Sequence, residues 1–446
     1  MKNQHKHWVL AAAVAAALAL PMTAAAQSDN DSDSAKLAQQ IAVMQKRMDQ
    51  MQQQLQAMRE QQSELKDKQL ETAKTQKVVV EKQKKQKKLV DKVADGIKVG
   101  GAMRFQYSYE DYNKGNERRV GDTDFDIFRL NFSGKVDNIE LKAEWRWFQY
   151  MSAIKYAWLG YDFDDHQQLQ LGITRIPFGN QPYNSHNYFF SSNYYLGLED
   201  TYHAGAEYVY KGGPWNVQLA FFKNDAEGGV DSGASSRANS YSYNVVGVRG
   251  PGEGTYANPQ HSAGSVDTAA ARVAYTFKPT GDLKWEVGGS ALHGGLDSPD
   301  ERIGSYSAFA LHTNVDYKRW NFQAEAARYD YTTDSNAKLL AVGAYAFYDT
   351  IPAAANSYTL NVKYHYPVSW GPIHSLDFYN DYSLVTNKTA ALPSTFMNVT
   401  GVGVSAGDLY TYFDFVTGRN QPFIGGSMAG DGQVEHRFNI NFGFYF

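Results

Sequence analysis

Cysteine is absent from all 446 residues. No disulfide framework, thiolate metal ligand or thiol nucleophile is therefore available. Apolar runs long enough to cross a membrane as a helix are absent too. The strongest, Trp8–Leu20, spans 13 residues, and a crossing helix needs about 20. No zinc, haem or nucleotide motif is present. Gly250-Pro-Gly-Glu-Gly254 lacks the strand–helix context of a phosphate loop. His186, His203, His293 and His312 are scattered, with no Ser or Asp spacing that joins them into a hydrolytic signature. These gaps predict neither an enzyme nor a cofactor protein. What the chain does have is aromatic: 31 Tyr, 24 Phe and 8 Trp, in a chain whose mean hydropathy is −0.51. That combination suits strands that are half apolar and half wet, with aromatic girdles.

The last stretch states the pattern most clearly. From Val434, residues Val434, Phe438, Ile440, Phe442, Phe444 and Phe446 share one parity, with His436 the one polar exception; Glu435, Arg437, Asn439, Asn441, Gly443 and Tyr445 share the other. A period of two puts one set on each face of a strand. In a transmembrane barrel the apolar face meets lipid and the polar face a water-filled lumen. The same alternation fits the edge strand of a soluble sandwich, so the decision rests on the rest of the chain.

The start of the chain sets the compartment. Residues 1–26 read as a secretory signal peptide: Lys2 and Lys6, the apolar Trp8–Leu20, Pro21, then Ala24-Ala25-Ala26 before Gln27. Residues 27–34 are short and polar and are expected to be a flexible mature N-terminus. From Leu37 a seam of Leu37, Ile41, Met44, Met48, Met51, Leu55 and Met58 alternates steps of four and three. No Gly or Pro interrupts 35–95, so the spacing predicts an α-helical coiled coil in the periplasm. The run Lys82–Lys88 reads as a solvated charged face, and a periplasmic location removes nucleic acid as a partner. Charge divides accordingly: residues 1–95 carry 16 basic and 11 acidic groups, leaving 27 basic and 36 acidic in the remainder.

Residues 96–446 then read as strands joined by alternating short and long links. Ile139, Leu141, Ala143, Trp145 and Trp147 against Glu140, Lys142, Glu144 and Arg146 is the cleanest alternation. Sixteen antiparallel strands are expected, with Ser240–Arg249 and Lys338–Asp349 as candidates for two more. Long links are expected at Asn224–Gly264 and around Arg302. The Asn-, Ser- and aromatic-rich segment from Arg175 to Asp200 follows the fifth strand and is expected to fold into the lumen as a constriction.

Four segments carry a resemblance: Asp95–Gly101, Phe128–Gly134, Leu171–Gly179, and the end of the chain from Gly407–Tyr410 to Arg437–Phe446. Together they resemble the phosphate-selective porin O/P superfamily. With its N-terminal coiled coil the chain is most similar to the DcaP-like branch, trimeric porins associated with dicarboxylate uptake. The resemblance implies a sixteen-stranded trimeric channel in the outer membrane of a Gram-negative bacterium. No solute-binding residue carries over, because the lumen arginines and lysines of the phosphate porins find no matched positions here.

Strand parity nominates the lumen chemistry. Arg437, Arg104, Arg129, Lys142 and Arg146 point inward from the last strand and the first three, which are neighbours once a barrel closes. They are expected to form a basic wall. Glu325, Asp377 and Asp381, with Glu199 and Asp200 in the constriction segment, are expected to oppose it. Opposed charged walls orient dipolar solutes and favour one ion sign locally. The expected function is passive diffusion of small hydrophilic solutes, with small anions such as dicarboxylates preferred. The alternative is that Glu140, Glu144 and Glu435 neutralise the wall. That leaves a general or sugar-permeable, cation-preferring pore, or a tether from the outer membrane to the cell wall through the coiled coil.

Overall fold

The computed structural model describes residues 96–446 without a break and, before them, individual residues between 42 and 84. The expected signal peptide and the segment 27–34 lie outside the described residues, as does much of the expected coiled coil. The chain divides into two units at residues 88 and 89. In the first, the described residues are helical, and Met44, Met48, Met51 and Met58 are between 56 and 62% exposed.

In the second unit, sixteen antiparallel strands close into a barrel. They are β1 (Lys98–Glu110), β2 (Asp122–Val136), β3 (Ile139–Trp147), β4 (Ser152–Asp162), β5 (Gln167–Arg175), β6 (Tyr202–Gly212), β7 (Trp215–Asp225), β10 (Gly264–Thr280), β11 (Leu283–Asp297), β12 (Arg302–Tyr317), β13 (Trp320–Thr333), β16 (Ala354–Trp370), β17 (Ile373–Thr386), β18 (Thr395–Ala406), β19 (Leu409–Arg419) and β20 (Val434–Tyr445). The final strand closes on the first, with Met103 opposite Phe444 and Phe105 opposite Phe442. Gly101 and Phe446 exchange backbone hydrogen bonds of 2.8 and 3.1 Å at the seam. Closure leaves no strand edge unpaired, which a hydrocarbon surrounding demands.

The alternation follows the sequence. Outward positions carry exposed Val99, Met103, Phe105, Trp145, Leu159, Leu171, Leu219, Phe221, Leu311 and Leu360, while inward neighbours such as Arg104, Gln106, Glu144, Arg146, Gln170, Gln218, His312, Thr359 and Asn361 are polar. One rim is built from short hairpins, six with two-residue links and one, at residues 163–166, with four. Asp137, Gly213, Lys318, Gly371 and Gly407 open five of them with φ between 53 and 63°. A positive φ at that position matches the twist of the flanking strands, and glycine adopts it without a Cβ clash.

The other rim carries the longer links. Two of them contribute a separate four-stranded sheet, β8 (Asn244–Val248), β9 (His261–Ser262), β14 (Leu339–Ala344) and β15 (Phe347–Pro352), in the order β15-β14-β8-β9. The two candidates for a seventeenth and eighteenth barrel strand belong here. At five and six residues, β8 and β14 are too short to cross, since a tilted crossing strand takes about 9–11 residues. Every residue of β8 is buried, so it has no lipid or water face. The long link expected around Arg302 is also corrected. Only residues 298–301 separate β11 from β12, and Arg302 opens β12 in an ion pair with Asp297.

Candidate functional site: an arginine- and tyrosine-lined lumen

The segment 176–201 turns inward from β5 and crosses the barrel interior. Its path is fixed by the wall, one strand after another. Arg272 Nε of β10 donates to the Gly179 carbonyl at 2.7 Å, and Ser290 of β11 accepts from Gly179 N at 3.0 Å. Glu325 of β13 accepts from Asn180 N at 2.7 Å and Asn193 Nδ2 at 2.8 Å. Asn361 of β16 donates to the Asn184 carbonyl at 2.8 Å. Asp381 of β17 accepts from His186 N and Nδ1 and from Asn187 N and Nδ2, at 2.7 to 3.0 Å. At the far side, Tyr188 donates its hydroxyl to Asp126 of β2 at 2.9 Å. Much of this segment is buried against the wall and away from bulk water, and these inward carboxylates and amides supply its amides with partners.

The segment returns to the wall at Asp200. Its carboxylate takes Lys155 Nζ of β4 and Arg175 Nη2 of β5, each at 2.7 Å, and the hydroxyls of Tyr202 and Tyr241 at 2.7 Å. Burial alone would raise the Asp200 pKa, but the two cations outweigh it and hold the group at about 2. Glu199 beside it pairs with no cation among the described residues. It accepts from Ser191 N and Oγ and from Asn184 N, and burial pushes its carboxyl up to about 7 against those bonds. Tyr194 and Tyr195 of the segment pack against Tyr241, Tyr243 and Tyr345 from the long-rim links.

Between this segment and strands β20, β1, β2 and β3 lies a cavity of about 660 Å³. Arg104, Arg129, Arg146 and Arg437 line it, with Lys363 from the opposite side. Tyr188, Tyr241, Tyr345, Tyr412 and Tyr445 are among the aromatic rings that form much of the remainder. Each arginine is held by ring and carboxylate contacts. Arg104 pairs with Asp126 at 2.8 Å and lies 5.3 Å from the Tyr188 ring centroid. Arg146 pairs with Glu144 at 2.5 Å and lies 4.2 Å from Tyr241. Arg437 pairs with Glu110 at 3.0 Å. Arg129 stands directly opposite Arg146 in the β2–β3 register, and its nearest carboxylate is the same Glu144, at 3.7 Å. Two guanidinium groups thus share one carboxylate, but Glu110, Asp124 and Asp126 also line the cavity, so the four arginines of this wall stand against four carboxylates and the cavity's positive excess comes from Lys363 opposite.

The remaining expected residues sit elsewhere. Lys142 does not reach the cavity. It pairs with Glu140 at 2.8 Å and lies 5.3 Å from the Trp158 ring centroid. It shares parity with Arg146, but four residues along a strand is about 13 Å towards the other rim. None of Glu199, Asp200, Glu325, Asp377 and Asp381 lines the cavity. The expected acidic wall is therefore corrected: four of the five are spent inside the constriction segment or holding it, because its backbone and amides need acceptors. Asp377 pairs instead with His365 at 2.7 Å. Asp126, Lys155, Tyr188 and Tyr241 went unnominated. Asp126 lies on β2 three residues before Arg129 and on the other parity, so alternation alone turns it outward; the register shift between Arg104 and Phe105 in the β1–β2 pairing is what brings it to the cavity.

Comparison with known proteins locates the fold. No family model matches the chain, and no curated protein sequence does. Among solved structures, the anion-selective porin from Comamonas acidovorans is similar at a TM-score of 0.52 and 12% identity, over 78% of this chain and 99% of that one. OmpF of Salmonella typhi, solved in complex with daunomycin, is similar at a TM-score of 0.50 and 10% identity, over 78% of this chain and 97% of that one. A closed barrel of sixteen strands, an apolar outer belt and a segment folded across the interior are together the architecture of an outer-membrane porin, and this chain has that fold.

Proposed function

We propose that this protein is a passive diffusion channel of the outer membrane for small hydrophilic solutes, selective for small anions such as dicarboxylates. In this reading it works as a homotrimer whose N-terminal coiled coil extends into the periplasm. The observation that carries the selectivity is the cavity wall, where arginines from four contiguous strands converge and Arg129 and Arg146 share a single carboxylate. A guanidinium presents paired donors that match a carboxylate. Coulomb attraction between a solute carboxylate and a guanidinium about 4 Å apart is worth about 4 kcal/mol at an effective dielectric of about 20, before desolvation is subtracted. That favours entry without trapping the solute.

The acidic balance of residues 96–446 does not oppose this reading. Glu144, Glu199, Asp200, Glu207, Asp225, Glu325, Asp349, Asp381 and Asp414 are buried in internal contacts, so much of the negative charge never faces the solute path. Swelling of liposomes containing the purified protein tests the proposal. A dicarboxylate should enter faster than neutral or cationic solutes of equal size. Equal rates for all three refute anion selectivity and favour a general pore, and no swelling at all favours the tether.

A further inference from the structure

The outer face of the barrel is not uniformly apolar. On β17 the outward side chains run Leu376, Phe378, Asn380, Tyr382 and Leu384, and on β18 Phe396, Asn398, Thr400 and Val402. The direction is set by exposure. Phe378 and Tyr382 are 43 and 36% exposed, while Asp381 and Ser383, of the opposite parity, are buried against the constriction segment. Register places Asn380 opposite Thr400 and Tyr382 opposite Asn398. Asn380 Nδ2 donates to Asn398 Oδ1 at 2.9 Å and to Thr400 Oγ1 at 2.8 Å. Thr417 of β19 continues the patch opposite Asn398. Along both strands the ladder is bracketed by apolar or aromatic side chains, so it lies inside the lipid-facing belt and not at its margin.

Carboxamides facing hydrocarbon are costly, and polar side chains on a membrane face recur where polypeptide packs on polypeptide. On β12 Phe309 and Leu311, 60 and 72% exposed, face outward side by side, with Ser307 and Thr313 of the same parity flanking them. What distinguishes the β17–β19 face is the cluster of two carboxamides and a hydroxyl hydrogen-bonded across neighbouring strands. We propose that this face, centred on Asn380, Asn398 and Thr400, is where a second copy of this chain packs within the membrane. The inference rests on the trimeric reading above. Two observations favour a copy over another partner. The described helical residues of the first unit expose Met44, Met48, Met51 and Met58 at steps of four, three and seven, a seam that parallel copies of the same helix bury. A carboxamide both donates and accepts, so one copy can meet the polar groups of another whichever kind they present. In a cyclic assembly the contact is between two different patches, so the test reads burial and not self-cross-linking.

The chain has no cysteine, so single-cysteine variants carry no background. Thr400→Cys and Leu311→Cys, each spin-labelled in reconstituted bilayers, compare the two faces by collision with oxygen. The label at 400 is expected to be several-fold less accessible than the one at 311. Asn380→Leu combined with Asn398→Leu is expected to lower the temperature at which the assembly dissociates on unheated gels, while the folded monomer band persists. The native mass of the unaltered protein is measured alongside. Equal oxygen access with a multimeric mass, or a dissociation temperature raised by the leucines, overturns this face and leaves the copy number standing. A monomeric mass overturns the trimer and this inference together.

Discussion

Removing Arg104 and Arg129 together isolates the charge that the cavity presents to a solute. Both line the cavity, and their carboxylate partners Asp126 and Glu144 would remain. Take a solute charge about 7 Å from each guanidinium in a water-filled lumen. Coulomb's law gives about 0.6 kcal/mol per arginine, roughly halved by screening at about 0.1 M salt. Losing two arginines then costs an anion about 0.6 kcal/mol and favours a cation by about the same, so the anion-to-cation permeability ratio falls by about five- to tenfold. The assay is the reversal potential across a planar bilayer in a salt gradient, comparing the Arg104→Ala, Arg129→Ala double variant with the unaltered protein. Lys142→Ala is the internal control. It removes one positive charge from a residue paired with Glu140 outside the cavity, and a small shift is expected. An unchanged ratio in the double variant, or an equal shift in the control, refutes the assignment of selectivity to this wall.

Other consequences follow from the same contacts. Asp381→Ala deprives His186 and Asn187 of the acceptor for four hydrogen bonds. It should loosen the constriction segment, seen as flickering single-channel current; steady current at the original conductance would contradict the anchoring role. Glu199 is held near 7 by burial, so the folded state binds its proton more tightly than the unfolded chain does. Its contribution to stability is therefore lost as pH rises from about 4.3 to about 7, and Glu199→Gln should flatten thermal stability across that window. Asp200, held at about 2 by Lys155 and Arg175, has the opposite sign. Its stabilisation is present above about 4 and is lost only as pH falls towards 2, so Asp200→Asn should destabilise at neutral pH and much less near pH 2. Leu311→Arg on the outer belt should cost about 2–4 kcal/mol if that position lies near the bilayer midplane, read by denaturant unfolding in lipid vesicles.

The strands were legible because each is a local pattern. Glu140, Lys142, Glu144 and Arg146 alternate with Ile139, Leu141, Ala143 and Trp145 whatever the rest of the chain does, and a period of two admits one reading per residue. Facing direction therefore came through for Arg104, Arg129, Arg146 and Arg437. Height along the barrel did not, because it depends on strand tilt and register between neighbours. Lys142 illustrates this: its parity is right and its level is wrong. The acidic residues fail for another reason. Glu325 and Asp381 do point inward, but a segment crossing the lumen needs acceptors for its amides and takes those carboxylates. Nothing in local spacing states which donor will arrive from 145 or 195 residues away. The small sheet of β8, β9, β14 and β15 pairs segments nearly 100 residues apart, and its apolar runs resemble short barrel strands when read singly. His436, the polar exception on the last strand, finds Asp111 at 2.8 Å, a pairing visible only once β20 lies beside β1.

The central claim is that this barrel conducts and that its arginine wall selects. Single-channel recording of the purified mature protein in a planar bilayer, under a salt gradient, tests both at once. Conductance steps grouped in threes, with a reversal potential of the sign for anion preference, are the predicted result. A silent bilayer, or a reversal potential of the opposite sign, would contradict it.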